Sequence, residues 1–116
     1  MTESTEEILE TFSAAATAYG AAIAVGNSKA ANTNLERATT LYRELRDRGP
    51  TAQTRLLDLL AQDDLAVRYL VAVHALDFAP VEGERALGEI LRGSPSPLQL
   101  LARVSLSQWR SGVLRF

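Results

Sequence analysis

His74 is the only histidine in the chain, and Asp77 follows it three residues later. On a helix that spacing brings the two side chains to one face, where an imidazole and a carboxylate can share a hydrogen bond and act as an acid–base couple. Bond-breaking chemistry of that kind needs a nucleophile as a third member, and no G-x-S-x-G elbow is present to supply one. The chain has no cysteine, so thiolate nucleophiles, disulfides and Cys-ligated metals are excluded. Asp63 and Asp64 are adjacent carboxylates, but a hard cation needs more converging oxygens than they provide. Placed directly before an apolar run, they read as a helix cap. No glycine pattern cradles a phosphate: neither G-x-G-x-x-G nor a P-loop occurs. The residues therefore predict a structural His74 oriented by a neighbouring carboxylate, with no catalytic constellation, cofactor or metal; a small enzyme using His74 and Asp77 is the least favoured reading.

The arginines offer binding chemistry instead. Arg68 begins the most apolar stretch, residues 65–79. It can lay its stem on the core and bridge Asp64 or an acid of the next hairpin, or it can anchor a partner's carboxylate or phosphate. Gln99, Arg103, Ser107 and Arg110 share one helical face, and Arg115 extends it into a basic strip. Nucleic acid is a conceivable target, yet three arginines on a chain of net charge −2 make a weak footprint. Charge is instead segmented: residues 1–10, 11–55, 56–91 and 92–116 carry −4, +3, −5 and +4. Either opposite segments pack beside each other, or the surface is dipolar and steers a charged partner.

These groups must be held by helices. Apolar residues recur at helical spacing, and no period-2 run is long enough for a strand. Ser4 and Glu7 form a capping box ahead of the stripe Ile8, Phe12, Ala15, Tyr19 and Ala22; Gly26–Asn27 ends that helix. A second, 28–48, carries Ala31, Leu35, Ala38, Tyr42 and Leu45, and stops at Gly49–Pro50. A third, 51–62, is leucine-rich. A fourth, 65–79, is apolar nearly all round and so is predicted to be central. Pro80 opens a fifth that Gly93 closes, and Ser96–Pro97 opens a sixth that runs to about residue 110. Tyr19 and Tyr42 are expected in the core, and Gly20, Gly83 and Gly88 permit close helix approach. Connections of two to five residues make consecutive helices antiparallel. The expectation is one all-α domain over residues 1–116, with hairpins at about 4–48, 51–79 and 80–110 and a tail at 111–116.

The second and third hairpins repeat each other. Leu57, Ala72 and Leu76 map onto Leu87, Ala102 and Leu106 at a constant offset of 30 residues, a period typical of stacked helical repeats. Asp64, Val67–Arg68 and Ala72 to Leu76 resemble a HEAT-type repeat. Together with Ala31–Asn32, Tyr42–Arg43–Glu44–Leu45, Arg48–Gly49–Pro50, Ala75 to Pro80 and the closing Trp109–Arg110-x-Gly112-x-Leu114-x-Phe116, the pattern resembles a small bacterial family catalogued as domain of unknown function two-thousand-nineteen. That resemblance implies a HEAT-like α-solenoid and brings no activity, so it transfers no functional residue.

In such a stack the second, fourth and sixth helices line one face. Arg37, Arg43, Glu44, Arg68, Arg103 and Arg110 are the residues expected to expose themselves there and bind. The expected role is a protein-interaction module, an inhibitor or immunity-type partner of another bacterial protein, with a nucleic-acid-binding module as the alternative. Trp109, Val113, Leu114 and Phe116 form an apolar terminal cluster that either seals the stack or pairs with a second copy. An acidic opening (Glu3, Glu6, Glu7, Glu10) is unlike a signal peptide, and the longest mildly apolar run, residues 14–25, is too short and alanine-rich to span a membrane. A cytoplasmic protein is expected.

Overall fold

The start of each helix is written in its first side chains. Ser4 Oγ accepts from the Glu7 N–H at 3.1 Å while the Glu7 carboxylate accepts from the Ser4 N–H at 3.1 Å, which completes the capping box. Asn27, Asp64 and Ser96 cap three further helices through Ala30, Ala66 and Gln99 N–H groups. Pro50, Pro80 and Pro97 occupy first turns, where a missing N–H costs nothing. A computed structural model describes residues 3–116. It comprises α1 (Thr5–Ala24), α2 (Ser28–Asp47), α3 (Pro50–Arg55) with a 3₁₀ continuation (Leu56–Ala61), α4 (Leu65–Ala75), α5 (Pro80–Leu91) and α6 (Pro97–Arg110). Among the described residues there is no strand.

Two elements differ from the pattern-based expectation. The third helix tightens after Arg55 into a 3₁₀ run, whose three-residue repeat puts Leu56 and Leu59 on the same side, toward the core. The fourth ends at Ala75, not at residue 79, because Pro80 forces Ala79 out of the helical region, to φ −142° and ψ 66°. Gly49 ends α2 at φ +105°, a conformation that side chains with a Cβ avoid.

α4 is the spine. Of its residues only Leu65, Arg68 and Val73 are less than fully buried. It packs against α1, the 3₁₀ run, α5 and α6. Two glycines set its distance from its neighbours. A Cβ on Gly20 would lie 2.5 Å from the Ala66 Cβ, and one on Gly83 would lie 2.9 Å from the Ala72 carbonyl oxygen. Gly88 has no such role; its nearest neighbour is the flexible end of Arg92. The 30-residue repeat survives as shared burial of Ala72 with Ala102 and of Leu76 with Leu106. Leu57 in the 3₁₀ run is only half-buried where Leu87 is buried.

α1 packs on α6 as well as on α2 and α4, a contact that a one-dimensional row of hairpins would not make. The three helix pairs thus close around α4, with a radius of gyration of 13.3 Å, close to the ~13 Å of a compact chain this long. The tail completes the closure. Trp109, Leu114 and Phe116 are half-buried against the core, and the Phe116 ring lies 6.4 Å from Tyr42 and 6.0 Å from His74. Opposite charge segments meet at the edges: Arg55 bridges Glu6 and Asp58, Arg48 reaches the Glu3 carbonyl, and Arg110 lies 3.5 Å from Glu84. Such exposed pairs add little stability. Among the described residues no helix is long and apolar enough to cross a membrane.

Candidate functional site

His74 is 2% exposed, and both ring nitrogens are engaged. Nδ1–H donates to the Leu70 carbonyl at 2.7 Å, one turn back on α4. Nε2 is left as an acceptor for the Thr39 hydroxyl at 3.0 Å, from α2. Phe12 meets the ring edge-on at 5.7 Å, and Tyr42 and Phe116 close the other sides. Burial holds the imidazole neutral and lowers its pKa to about 4, against the opposing pull of the Leu70 carbonyl and Asp77.

The expected His74–Asp77 couple is not formed. α4 ends at Ala75, and the Asp77 carboxylate turns instead to the Tyr42 hydroxyl and to Arg46 at 3.2 Å. Tyr42 in turn accepts from Gln53 at 2.8 Å, so one phenol ties α2, α3 and the turn after α4 together. Burial, then the bond to Asp77, pushes the Tyr42 pKa up and keeps the hydroxyl a donor. The carboxylate that was to orient His74 therefore orients Tyr42, and a hydroxyl and a carbonyl orient the histidine. Tyr19 and Tyr69 stack with ring centroids 6.2 Å apart, and the buried Tyr69 hydroxyl pairs with Ser105 at 2.8 Å. Burial pushes the Tyr19 phenol up to about 12.

Beyond these bonds α2, α4 and α6 do share a face, as expected, in the form of an open groove of about 490 Å³. Its walls are Ile23, Leu35, Val73, Leu101 and Val104, with Thr39 and His74 at one end beside Phe116. Val104 is 44% exposed, and Leu100, one turn earlier on α6, is 61% exposed.

The six residues expected to bind are not gathered there. Arg43 is exposed and lies one turn beyond Thr39, close enough to His74 to oppose its protonation. Arg37 and Glu44 are exposed roughly a third of a turn farther round α2. Arg103 and Arg110 sit about half a turn from Leu101 and Gln108 on α6, in a shallow depression with Leu91 and Leu106. Arg68 points the other way from α4 altogether. The six fall on separate surfaces because the groove-facing positions of α6 are Leu101, Val104, Ser105 and Gln108.

Arg68 enters a second cleft, of about 540 Å³, between the start of α4, the 3₁₀ run and α5. Glu82, Arg85 and Glu89 of α5 line it with Arg68, and Leu65 and Ile90 provide apolar wall. The expected bridge from Arg68 to Asp64 is absent. Asp64 accepts from the Ala66 and Val67 N–H groups and from the Thr17 hydroxyl at 2.7 Å, which fastens α1 to α4. Arg68 Nε is buried without a hydrogen-bond partner among the described residues. Gln99, read as part of a polar face, instead donates to the Leu91 and Gly93 carbonyls and locks the turn beside this cleft. Its position one turn after the Ser96 cap is the sequence signal for that role. Among the described residues no group of three or more His, Cys, Asp or Glu converges as a metal site.

Comparison with protein-family models, with curated proteins and with solved structures gives no match to this chain.

Proposed function

We propose that the chain is a non-catalytic protein-binding module whose α2–α4–α6 groove receives the apolar face of a helix from a partner protein. The observation that carries this reading is the groove itself: Leu35, Val73, Leu101 and Val104 form an open apolar trough between helices, with hydroxyls and amides at its margins. A trough of that kind suits an amphipathic helix presenting residues at i, i+4 and i+7. The non-catalytic part of the reading is supported by His74 and Asp77, which are occupied with separate partners. A small all-helical fold that consists largely of surface adds an inhibitor or immunity-type role to the proposal.

The test replaces Val104 with Asp, an exposed change that leaves the core intact, and compares it with charge reversal at Arg103 and Arg110. Native complexes should be lost in Val104→Asp and kept in the arginine variants. Survival of the complexes in Val104→Asp would remove the groove. Loss in the arginine variants, together with a steep fall in binding as salt is raised, would favour the nucleic-acid reading.

A further inference from the structure

The groove between α2, α4 and α6 is uneven in charge. Among the described residues its lining includes no Asp or Glu and one cation, Arg115. Arg43 stands exposed on the α2 rim, one turn beyond Thr39, near enough to His74 to oppose its protonation. Arg115 comes from the tail at the same end, beside Phe116. Its Nη1 donates to the Gly112 and Leu114 carbonyls, which hold the guanidinium without neutralising it. Lys29 adjoins Ser28 at the other end, and Glu36, next to Leu35, is the one acid between Lys29 and Arg43 on α2. Among the described residues none of Lys29, Arg43 and Arg115 forms an ion pair. Arg46, farther along α2, is already paired with Asp77.

An unpaired cation at the lip of an apolar trough gains most from an acid brought against it as water is excluded. A second copy of the chain does not bring one. Its exposed apolar stripe is Leu100 and Val104 on α6, and residues 92–116 carry four arginines and no acid. Docking that helix would set cation against cation. From Ser28 to Thr39 the α2 wall of the groove spans about three turns, roughly 16 Å. We infer that the groove's occupant is an acidic amphipathic helix of about three turns, whose apolar stripe lies on Leu35, Val73 and Val104 and whose flanking Asp and Glu side chains meet Arg43, Arg115 and Lys29. This assignment rests on the protein-binding reading of the same groove and adds the partner's charge to it.

The experiment follows backbone amide resonances of the intact chain during titration with three end-capped helical peptides. All share one apolar stripe, Leu at i, i+4, i+7 and i+11, flanked by Glu, by Gln or by Lys. At low salt the Glu-flanked peptide should shift groove residues saturably and bind about fivefold or more tighter than the Gln-flanked one, since exposed pairs of modest strength multiply. The Lys-flanked peptide should bind weakest, although the chain's net charge of −2 favours it. Raised salt should narrow these differences. Arg43→Glu combined with Arg115→Glu, both exposed, should reverse the order. Arg37→Glu combined with Arg103→Glu makes the same change in net charge on other surfaces and should leave the order as in the wild type. Equal binding of the Glu- and Gln-flanked peptides, tighter binding of the Lys-flanked one, or an unchanged order in the Arg43→Glu, Arg115→Glu variant would overturn the acidic assignment and leave the groove in place. Sedimentation that shows a dimer of the chain, dissolved by Val104→Asp, would replace the acidic helix with a second copy. No saturable shift with any peptide would also overturn the assignment, and the response of native complexes to Val104→Asp then judges the groove by itself.

Discussion

The two faces of α4 treat their ionisable groups in opposite ways. On one face His74 is nearly out of contact with water, yet each ring nitrogen has a partner and aromatic rings cover the rest. On the other, six residues earlier, Arg68 is only half-buried and still holds a sealed donor without an acceptor. Burial and completeness of hydrogen bonding therefore do not run together on this helix. Completeness of hydrogen bonding differs between the two faces as well, and an unmet buried donor costs about 1–3 kcal/mol.

The largest effect should come from the satisfied face. His74→Ala leaves a cavity among Phe12, Tyr42 and Phe116 and strips Thr39 of its acceptor, so chemical denaturation should show a loss of about 3 kcal/mol. A loss under 1 kcal/mol would mean that the aromatic cage is looser than its geometry. Next is Gly83→Ala, on the Arg68 side but one turn farther along α4. The new methyl would press on the Ala72 carbonyl and on Leu76, at a cost of about 2 kcal/mol, which thermal melts would detect. That outcome would place tight packing on both faces and confine the looseness of the second face to the cleft. Tyr42→Phe comes third: Asp77 keeps Arg46 but loses the phenol, and Gln53 loses its acceptor, for about 1 kcal/mol. Smallest is Arg68→Met, expected to change stability by between zero and a gain of about 1 kcal/mol. A clear loss there would erase the contrast between the faces.

Much of the scaffold was legible from local chemistry. Ser4–Glu7, Asn27, Asp64 and Ser96 act within three residues of themselves, so their capping roles are readable without knowing the fold. The near-total burial of α4 followed from its lack of a polar face. Early termination at Ala75 is also a local effect, of Pro80 on Ala79, and it is what separates Asp77 from His74. The site was less legible because its bonds join distant segments. Thr39 to His74 and Tyr42 to Asp77 each span 35 residues, and Thr17 to Asp64 spans 47. Helical periodicity fixes which side of α2 or α6 is apolar, but not which helix stands opposite. The arginines of α2, α4 and α6 could therefore be grouped on paper while the rotation of each helix dispersed them.

The division of α4 rests most directly on the protonation of His74. Its folded pKa is depressed, so below pH 6.5 the unfolded chain takes up a proton that the folded chain refuses, and stability should fall from pH 6.5 down to about 4. The loss attributable to this one group is of order 3 kcal/mol and should vanish in His74→Gln. Nitrogen-detected NMR of the imidazole through a pH titration reads the state itself. The expected result is a neutral ring protonated on Nδ1 that persists to about pH 4. A ring that titrates near 6.5, with its shifts following bulk pH while the chain stays folded, would show His74 open to water and contradict the account.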